Sequence, residues 1–469
     1  MLSSLPPEIL LLIANHLDNH KDILHLASCT RGFHAFLYPH AFRILVLRDT
    51  ELYELTRLTH VLAQNPRCAQ AVRVLRFDPR LRSRPDIQEE EKVKYDGGVI
   101  LPVLERSGFG RAAVAKWKEK LTENMDTDAW TAVILTLVPN IEELAMTFSY
   151  PSFYVRKLLA TSIEGGTEPI FARLRELSAR WYDTENGLPS AYILPFLRLP
   201  SLRILNGVMI EDARPTDEHD LRREVPPSGN DSWDEDYEEP PDYEVDPEGY
   251  FKRYPGDENF SNTTHIKLEY SNSGKGFPDL IRACRGLVSF VYEHGNCGEL
   301  DHLAPRRFYP SLCKHRESLE ELTICYSRWW FMHGDPAESE FIGSFRDFAV
   351  LKRLRLRSDN IFVRGGRGEY ANLALGMLPP SLEALAIEDF DWHPNPIGFV
   401  KRLKELRSAI KSQCPNIASL KVIVGGKDMP PQEDGWPLYS APSRCVHGTR
   451  RAAELVAPVA DDPPYDVWT

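Results

Sequence analysis

The sequence predicts an α/β protein in which three N-terminal helices are followed by a solenoid of repeated strand–helix units. Three observations support this prediction: an apolar segment near the start, a leucine pattern that recurs at intervals of roughly 30 residues, and one strongly acidic segment that interrupts the series. The predicted domains are three helices at 1–47, a repeat domain at 48–426 and an irregular C-terminal tail at 427–469. The acidic segment is predicted to be a disordered insertion at 211–262.

The apolar segment LPPEILLLIANHL, residues 5–17, is predicted to be a helix that needs a partner. Pro6 and Pro7 suit a first turn, where no N–H donor is required, and Glu8 complements the positive end of the helix dipole. Apolar residues cover most of the circumference, so the helix must be buried on more than one side. The two following segments, DILHLASC and TRGFHAFLYPHAF, predict short helices that cannot cover it alone. We therefore expect another protein to contact this helix.

The same segment is a poor secretory signal and too short to span a membrane. No basic region precedes it, and prolines stand where the apolar core of a signal peptide begins. A membrane span requires about 20 apolar residues. The eight cysteines contain no C-x-x-C pair, which is typical of a reducing compartment. We expect a cytoplasmic or nuclear protein without a membrane partner.

Most of the remaining chain repeats an apolar-x-x-apolar-x-apolar pattern, as in VRVLRF, IEELAM, LEELTI and LKRLRL. The alternation predicts short strands with one buried face, and helical stretches closed by proline precede several of them. Such units at this spacing are typical of a leucine-rich-repeat solenoid, a horseshoe in which neighbouring repeats cover one another. The usual N/C-x-L continuation is mostly absent, so the predicted repeats are degenerate. An ordinary α/β protein with parallel strands is the alternative. The fourth residue of each pattern is predicted to be buried. These residues are Leu75, Leu144, Leu177, Leu205, Phe290, Leu322, Leu354, Leu385 and Leu420.

Acidic residues are concentrated in one segment. Residues 211–259 contain 18 Asp and Glu, 5 Lys and Arg, and seven prolines, with few aliphatic side chains. Such a segment cannot bury enough surface to offset its ordering entropy. The rest of the chain is close to neutral although the net charge is −12. This distribution argues against a broad basic face, so no nucleic-acid partner is expected.

Residues 5–42 resemble the F-box, the motif that docks onto the Skp-type adaptor of cullin-based (SCF) ubiquitin ligases. The matching residues are Leu5-Pro6-x-Glu8-Ile9, Ile13, Leu17, Asp22-Ile23-Leu24, Leu26, Cys29-Thr30-Arg31 and Phe33. Gly32 and Phe33 stand where the family often has Arg-Trp. With the repeats that follow, the chain is similar to fungal F-box proteins. The resemblance implies adaptor contacts at Leu5, Pro6, Glu8, Ile9, Ile13, Leu17, Ile23, Leu24 and Phe33.

The resemblance implies a substrate-recognition subunit that binds the adaptor, and through it a cullin, while its repeats bind a target protein. The alternative is a non-ligase scaffold whose N-terminal helices only cap the solenoid. No phosphate loop, nucleophile elbow or H-E-x-x-H motif is present. Cys297, His302, Cys313 and His315 match no common zinc-site spacing, so they are expected to be buried thiols and surface histidines. No catalysis, cofactor or metal is expected.

The strand positions between the buried leucines predict a target-binding surface on the concave face. Arg353, Arg355 and Arg357 occupy such positions and favour an acidic or phosphorylated segment, because guanidinium groups bind carboxylates and phosphates with two hydrogen bonds. A solvated face without a specific partner is the alternative. Candidate aromatic anchors on one rim, which could instead be packed loop residues, are Trp181, Trp329, Trp330 and Trp392.

Overall fold

The computed structural model describes two compact units. One comprises Met1–Ile266 with Arg282–Arg285, and the other comprises Lys267–Ile281 with Gly286–Thr469. The described residues are 5–17, 20–48, 52–78, 96–106, 111–122, 127–148, 154–155, 157–159, 170–181, 187–212, 258–295, 303–326, 341–364, 370–373, 377–391, 407–425, 439–440 and 453–455.

Three short helices begin the first unit: α1 (Pro7–Asn15), α2 (His20–Ser28) and α3 (Arg31–His40). A helix is therefore present in each of the three predicted segments. The side chain of Thr30 caps α3, since its Oγ1 accepts a hydrogen bond from the Phe33 N–H at 3.0 Å. The buried core shared by the helices contains Leu10, Ala14, Ala27, Phe33 and Leu37.

Parallel strands follow these helices. The strands of the first unit are β1 (Ile44–Arg48), β2 (Val74–Asp78), β3 (Glu143–Phe148), β4 (Glu176–Trp181), β5 (Leu188–Pro189), β6 (Ile204–Val208) and β7 (Ile210–Glu211). Five of them pair in parallel in the order β1-β2-β3-β4-β6, and β5 pairs with β7. The register places Leu45, Leu75, Leu144, Leu177 and Leu205 side by side in the core. The repeat positions predicted in this unit are therefore aligned.

Helices connect these strands. They are α4 (Leu52–Gln64), α5 (Pro66–Ala71), α6 (Gly97–Arg106), α7 (Arg111–Thr122) and α8 (Thr127–Leu137). The predicted helix in DAWTAVILTLVPN is α8, and its residues 129–135 are all buried. The predicted helical stretch AYILPFLRLPS instead forms two 3-10 helices, Ser190–Tyr192 and Leu194–Arg198. Pro195 explains the interruption, because a proline lacks the N–H that an α-helix requires within its interior.

The second unit has the same strand arrangement. Its strands are β8 (His265–Ser271, of which the part from Lys267 belongs to this unit), β9 (Ser289–His294), β10 (Glu321–Tyr326), β11 (Arg353–Arg357), β12 (Phe362–Arg364), β13 (Tyr370–Leu373), β14 (Ala384–Asp391), β15 (Ser419–Gly425), β16 (Tyr439–Ser440) and β17 (Ala453–Leu455). The parallel strands β9, β10, β11, β14 and β15 are neighbours in that order. Their register aligns Phe290, Leu322, Leu354, Leu385 and Leu420.

The described helices of the second unit are short. Strands β12 and β13 pair antiparallel, and residues 365–369 between them lie outside the described residues. The short helical connections are Pro278–Ala283, Pro305–Arg307, Tyr309–Leu312, Cys313–His315, Ser358–Ile361 and a helix at 407–413.

The structure moves three of the predicted domain boundaries. The first is at residue 47, because β1 already pairs with β2 and the sheet therefore begins at Ile44. The second is the insertion, because β7 includes Glu211 and the Asn259 N–H donates to the Arg282 carbonyl oxygen at 2.9 Å. Folded residues thus occupy 211–212 and 258–262, and 213–257 lie outside the described residues. The third is the tail, because β17 pairs antiparallel with β15 and with β16.

The described cysteines are free thiols: Cys68, Cys284, Cys325 and Cys414 are buried, Cys29 is exposed, and Cys313 is half-buried, which corrects its predicted burial. Burial raises the pKa of the Cys284 thiol to about 12, so it stays protonated as a small apolar core group. Within the described ranges, none of the helices combines the length and the apolar composition that a membrane crossing requires.

Candidate functional site

Helix α1 presents apolar residues both to its own core and to solvent. Leu10 and Ala14, four residues apart, are buried against α2 and α3. Ile9 is 42% exposed and Leu12 is 54% exposed on the remaining surface of the helix. These two residues are called the α1 apolar surface below. Two large aliphatic side chains on one nine-residue helix therefore remain in contact with water.

The residues that the resemblance assigns to adaptor binding differ in their exposure to solvent. Pro6 and Glu8 are exposed with Ile9, whereas Ile13, Leu17 and Leu24 are half-buried. Leu5 is also half-buried and packs against the helical core. The predicted adaptor contacts did not include Leu12, which is exposed. Its apolar side chain, on a helix that is apolar around most of its circumference, was the signal that could have identified it.

Two of the predicted adaptor contacts face the inside of the bundle. Phe33 belongs to the shared core, and Ile23 is also buried. Phe33 and Leu37 lie one turn apart on α3, which places both side chains on the inward face. The prediction that Phe33 and Ile23 contact a partner directly is therefore corrected, because both support the bundle from within.

The second candidate surface is the outward strand face of the second unit. The Arg355 Nε donates to Glu388 Oε1 on the adjacent strand β14 at 2.7 Å. Its Nη1 lies 3.9 Å from Glu293 Oε1, which β9 contributes from the other side. The neighbouring Arg353 pairs with Glu321 on β10 at 3.1 Å. The surface that these side chains form is called the paired-charge face, and its residues are Glu293, Glu321, Arg353, Arg355 and Glu388.

The pKa values reflect this pairing. Burial raises the pKa of the Glu293 carboxyl, and the attraction of Arg355 only partly opposes that effect. The hydrogen bond from Arg353 to Glu321 raises the pKa of the Arg353 guanidinium. Both guanidinium groups are thus engaged by carboxylates of the protein itself. A phosphate would have to displace these glutamates, which argues against the predicted acidic or phosphorylated target.

Two further predicted target contacts are buried. The guanidinium of Arg357 lies 4.6 Å from the centre of the Tyr326 ring, in a stacked cation–π contact. Trp181 continues the buried alternation of Leu177 and Ala179 along β4, so the strand period turns it into the core. Neither residue forms an exposed anchor, which corrects both predictions. The other three tryptophans, Trp329, Trp330 and Trp392, lie outside the described residues.

The first unit has a comparable polar network that the sequence analysis did not identify. The Arg76 Nε donates to Glu143 Oε1 at 3.0 Å, which links β2 to β3. The Asn206 amide donates to Glu176 Oε1 at 2.9 Å, which links β6 to β4. Burial, followed by repulsion from Glu143, raises the pKa of Glu176. The available signal was the glutamate directly before the fourth-position leucine in consecutive repeats.

His315 has a structural role. It is buried, its Nε2 lies 2.9 Å from the Ile281 carbonyl oxygen, and its Nδ1 accepts a hydrogen bond from the Leu287 N–H at 3.3 Å. Burial lowers the pKa of its imidazole. The predicted surface position of His315 is therefore wrong. In the part of the chain that the structure describes, no group of three or more His, Cys, Asp and Glu is placed to hold a metal ion, and Cys297 and His302 lie outside that part.

A family model described as a leucine-rich repeat domain matches residues 254–429. The matched span contains β8 to β15, where the repeat leucines are aligned across parallel strands. The prediction of leucine-rich repeats is confirmed for this span. The match does not reach α1, α2 and α3. No curated protein matches the chain.

Proposed function

We propose that this protein is the substrate-recognition subunit of an SCF-type E3 ubiquitin ligase. In this proposal the N-terminal helices bind the Skp-type adaptor, which connects them to a cullin, and the repeats bind a target protein. The chain itself catalyses nothing. It holds the target near the ubiquitin-transferring subunits, and this proximity raises the effective concentration of the target lysine.

The α1 apolar surface is the observation that supports this proposal most directly. Burying a large aliphatic side chain completely contributes about 1.5–3 kcal/mol, so leaving Ile9 and Leu12 half in water is unfavourable without a partner. Both lie in the segment that resembles the F-box, and the resemblance implies an adaptor contact at Ile9. The leucine-rich repeats support the other half of the proposal, because solenoids of this type present extended surfaces to proteins.

Adaptor binding tests the proposal. A purified Skp-type adaptor is titrated into the wild-type chain and into the double variant Ile9→Ala with Leu12→Ala, and the affinity is measured by calorimetry. Each side chain is about half exposed, so we expect the double variant to bind roughly tenfold more weakly or worse. Ile204→Ala is the matched control, because Ile204 is half-buried on β6. Absence of binding by the wild type, or equal binding by the double variant, would contradict the proposal.

A non-ligase interaction scaffold is the second candidate. It is favoured by the family match, because the leucine-rich repeats at residues 254–429 are typical of proteins that bind other proteins. In that case α1, α2 and α3 only cover the start of the first unit, and the adaptor does not bind. Purification of the full chain from cells, followed by detection of the adaptor and the cullin, separates the two candidates.

A further inference from the structure

Strand β1 carries a second pair of exposed apolar side chains. Ile44 is 54% exposed and Val46 is 44% exposed, whereas Leu45 between them is buried. Strand alternation therefore places Ile44 and Val46 together on the outward face of β1. Within the described part of the chain, large apolar residues that are exposed are concentrated near the N-terminus, and they are Ile9, Leu12, Ile44, Val46 and Tyr270.

A hydrogen bond connects helix α1 to the start of β1. The Arg43 Nη1 donates to Asn15 Oδ1 at 2.5 Å. Asn15 lies three residues after Leu12, so the two side chains are neighbours on the helix surface. Arg43 directly precedes Ile44 in the chain. The C-terminal end of α1 and the start of β1 are therefore neighbours, within the reach of one arginine side chain.

The α1 apolar surface is too small for a stable complex by itself. A stable interface buries about 800 Å² on each partner, which corresponds to a patch about 30 Å wide. Ile9 and Leu12 together can lose on the order of 100 Å² of apolar area, since each is about half exposed. A partner that docks on α1 must therefore cover further surface. Of the described residues in the first unit, the remaining large exposed apolar side chains are Ile44 and Val46.

The surroundings of these two residues suit the centre of an interface. In the sheet register Val46 stands beside Arg76 of β2, and Arg76 in turn pairs with Glu143 of β3 at 3.0 Å. The apolar pair is thus bordered by a polar pair that can stay hydrated. An apolar centre with a polar rim is the usual arrangement of protein–protein interfaces.

We propose that the adaptor docked on α1 also covers the outward face of β1 and buries Ile44 and Val46. This inference rests on the proposed function, and it extends the adaptor-binding surface beyond the segment that resembles the F-box. The occupant is the adaptor, because the bond between Asn15 and Arg43 joins β1 to the helix on which the adaptor docks.

Calorimetric titration of the adaptor into the full-length double variant Ile44→Thr with Val46→Thr tests the inference. Threonine keeps the β-branched shape that suits a strand, while it removes apolar contact area. We expect binding five- to twentyfold weaker than wild type, on the order of 1–2 kcal/mol. Ile204→Thr is the matched control, because the register places Ile204 in the same row as Ile44, on β6. The Ile204→Thr variant should bind the adaptor with the same affinity as the wild type.

The outcomes separate the inference from the proposed function. If the Ile44 and Val46 double variant binds like wild type while the Ile9 and Leu12 double variant does not, the inference is wrong and the proposed function stands. If the wild type does not bind the adaptor, both fail. Hydrogen–deuterium exchange of the wild-type complex provides a measurement that needs no variant. Adaptor binding should slow amide exchange in residues 44–48 as well as in α1, and unchanged exchange in 44–48 would overturn the inference.

Discussion

Arg355 on β11 donates from its Nε to the Oε1 of Glu388 on β14 at 2.7 Å. Glu388 is buried, and Arg355 is partly screened from solvent by its neighbours. Two of the three predicted arginines, Arg353 and Arg355, therefore form cross-strand ion pairs that join consecutive repeats. A protein that binds the paired-charge face meets alternating charges, so the charges on the binding protein must alternate to match them.

The Arg355–Glu388 pair should contribute more to stability than the Arg353–Glu321 pair. Glu388→Gln leaves the largely buried Arg355 charge with the more distant Glu293 carboxylate at 3.9 Å, so we expect it to lower the free energy of unfolding by about 1–3 kcal/mol. Glu321→Gln should cost at most about 1 kcal/mol, because half of the Arg353 side chain is in solvent. Urea denaturation of both variants provides the comparison. Equal costs would show that burial does not strengthen the first pair.

The stability of the first unit should depend on the ionisation of Glu211. Burial, followed by repulsion from Asp212, raises the pKa of this carboxyl to about 7 against a hydrogen bond from the Gly187 N–H. A glutamate in an unfolded chain has a pKa of about 4.3. Because the folded state holds the proton more tightly than the unfolded state does, protonation of Glu211 stabilises the fold. This stabilisation is fully present below about pH 4.3 and is lost as the pH rises through about 7.

Glu211→Gln should remove this pH dependence. We expect the variant to have a free energy of unfolding on the order of 2 kcal/mol higher than wild type at about pH 8, and little difference at about pH 4.5. Denaturant titrations at the two pH values measure the effect. Glu105→Gln, at an exposed position on α6, is the control. A Glu211 variant that loses stability with pH as steeply as the wild type would exclude this role.

Phe33 and Leu12 should separate folding of the helical bundle from binding. Phe33 lies in the shared core, so Phe33→Ala is expected to lower stability by about 3–5 kcal/mol and to melt the bundle earlier. Leu12→Ala, on the exposed side of α1, should change stability by less than about 0.5 kcal/mol. Circular dichroism melts measure both. Comparable losses would mean that Leu12 packs within the protein and offers no surface to a partner.

Gly276 should not tolerate a side chain. Its φ is +82°, a conformation that only glycine adopts without strain, and an added Cβ would lie 2.5 Å from the Arg307 carbonyl carbon. We expect Gly276→Ala to destabilise the second unit by more than about 2 kcal/mol. Gly32→Ala is the contrasting variant, because its Cβ would meet only Thr30 Oγ1 at 3.9 Å within helix α3. Thermal melts in which both variants match the wild type would contradict this.

The sequence alone determined the repeats and their alignment. Leu75 and Leu144 stand side by side on β2 and β3, although the described part of the segment between them contains three helices. Phe290, Leu322, Leu354 and Leu385 are likewise in register. Such positions can be predicted because strand alternation is a local property, and because stacked units cover their leucines only in this register.

The tertiary structure alone decided which of the candidate residues are exposed. Helix α1 is apolar around most of its circumference, so its sequence could not show that Leu10 is covered while Leu12 is not. Arg355 is paired because stacking brings Glu388 beside it from the next repeat, 33 positions along the chain. Periodicity acts over a few neighbouring residues, whereas burial and charge pairing depend on side chains that come together only when the repeats stack.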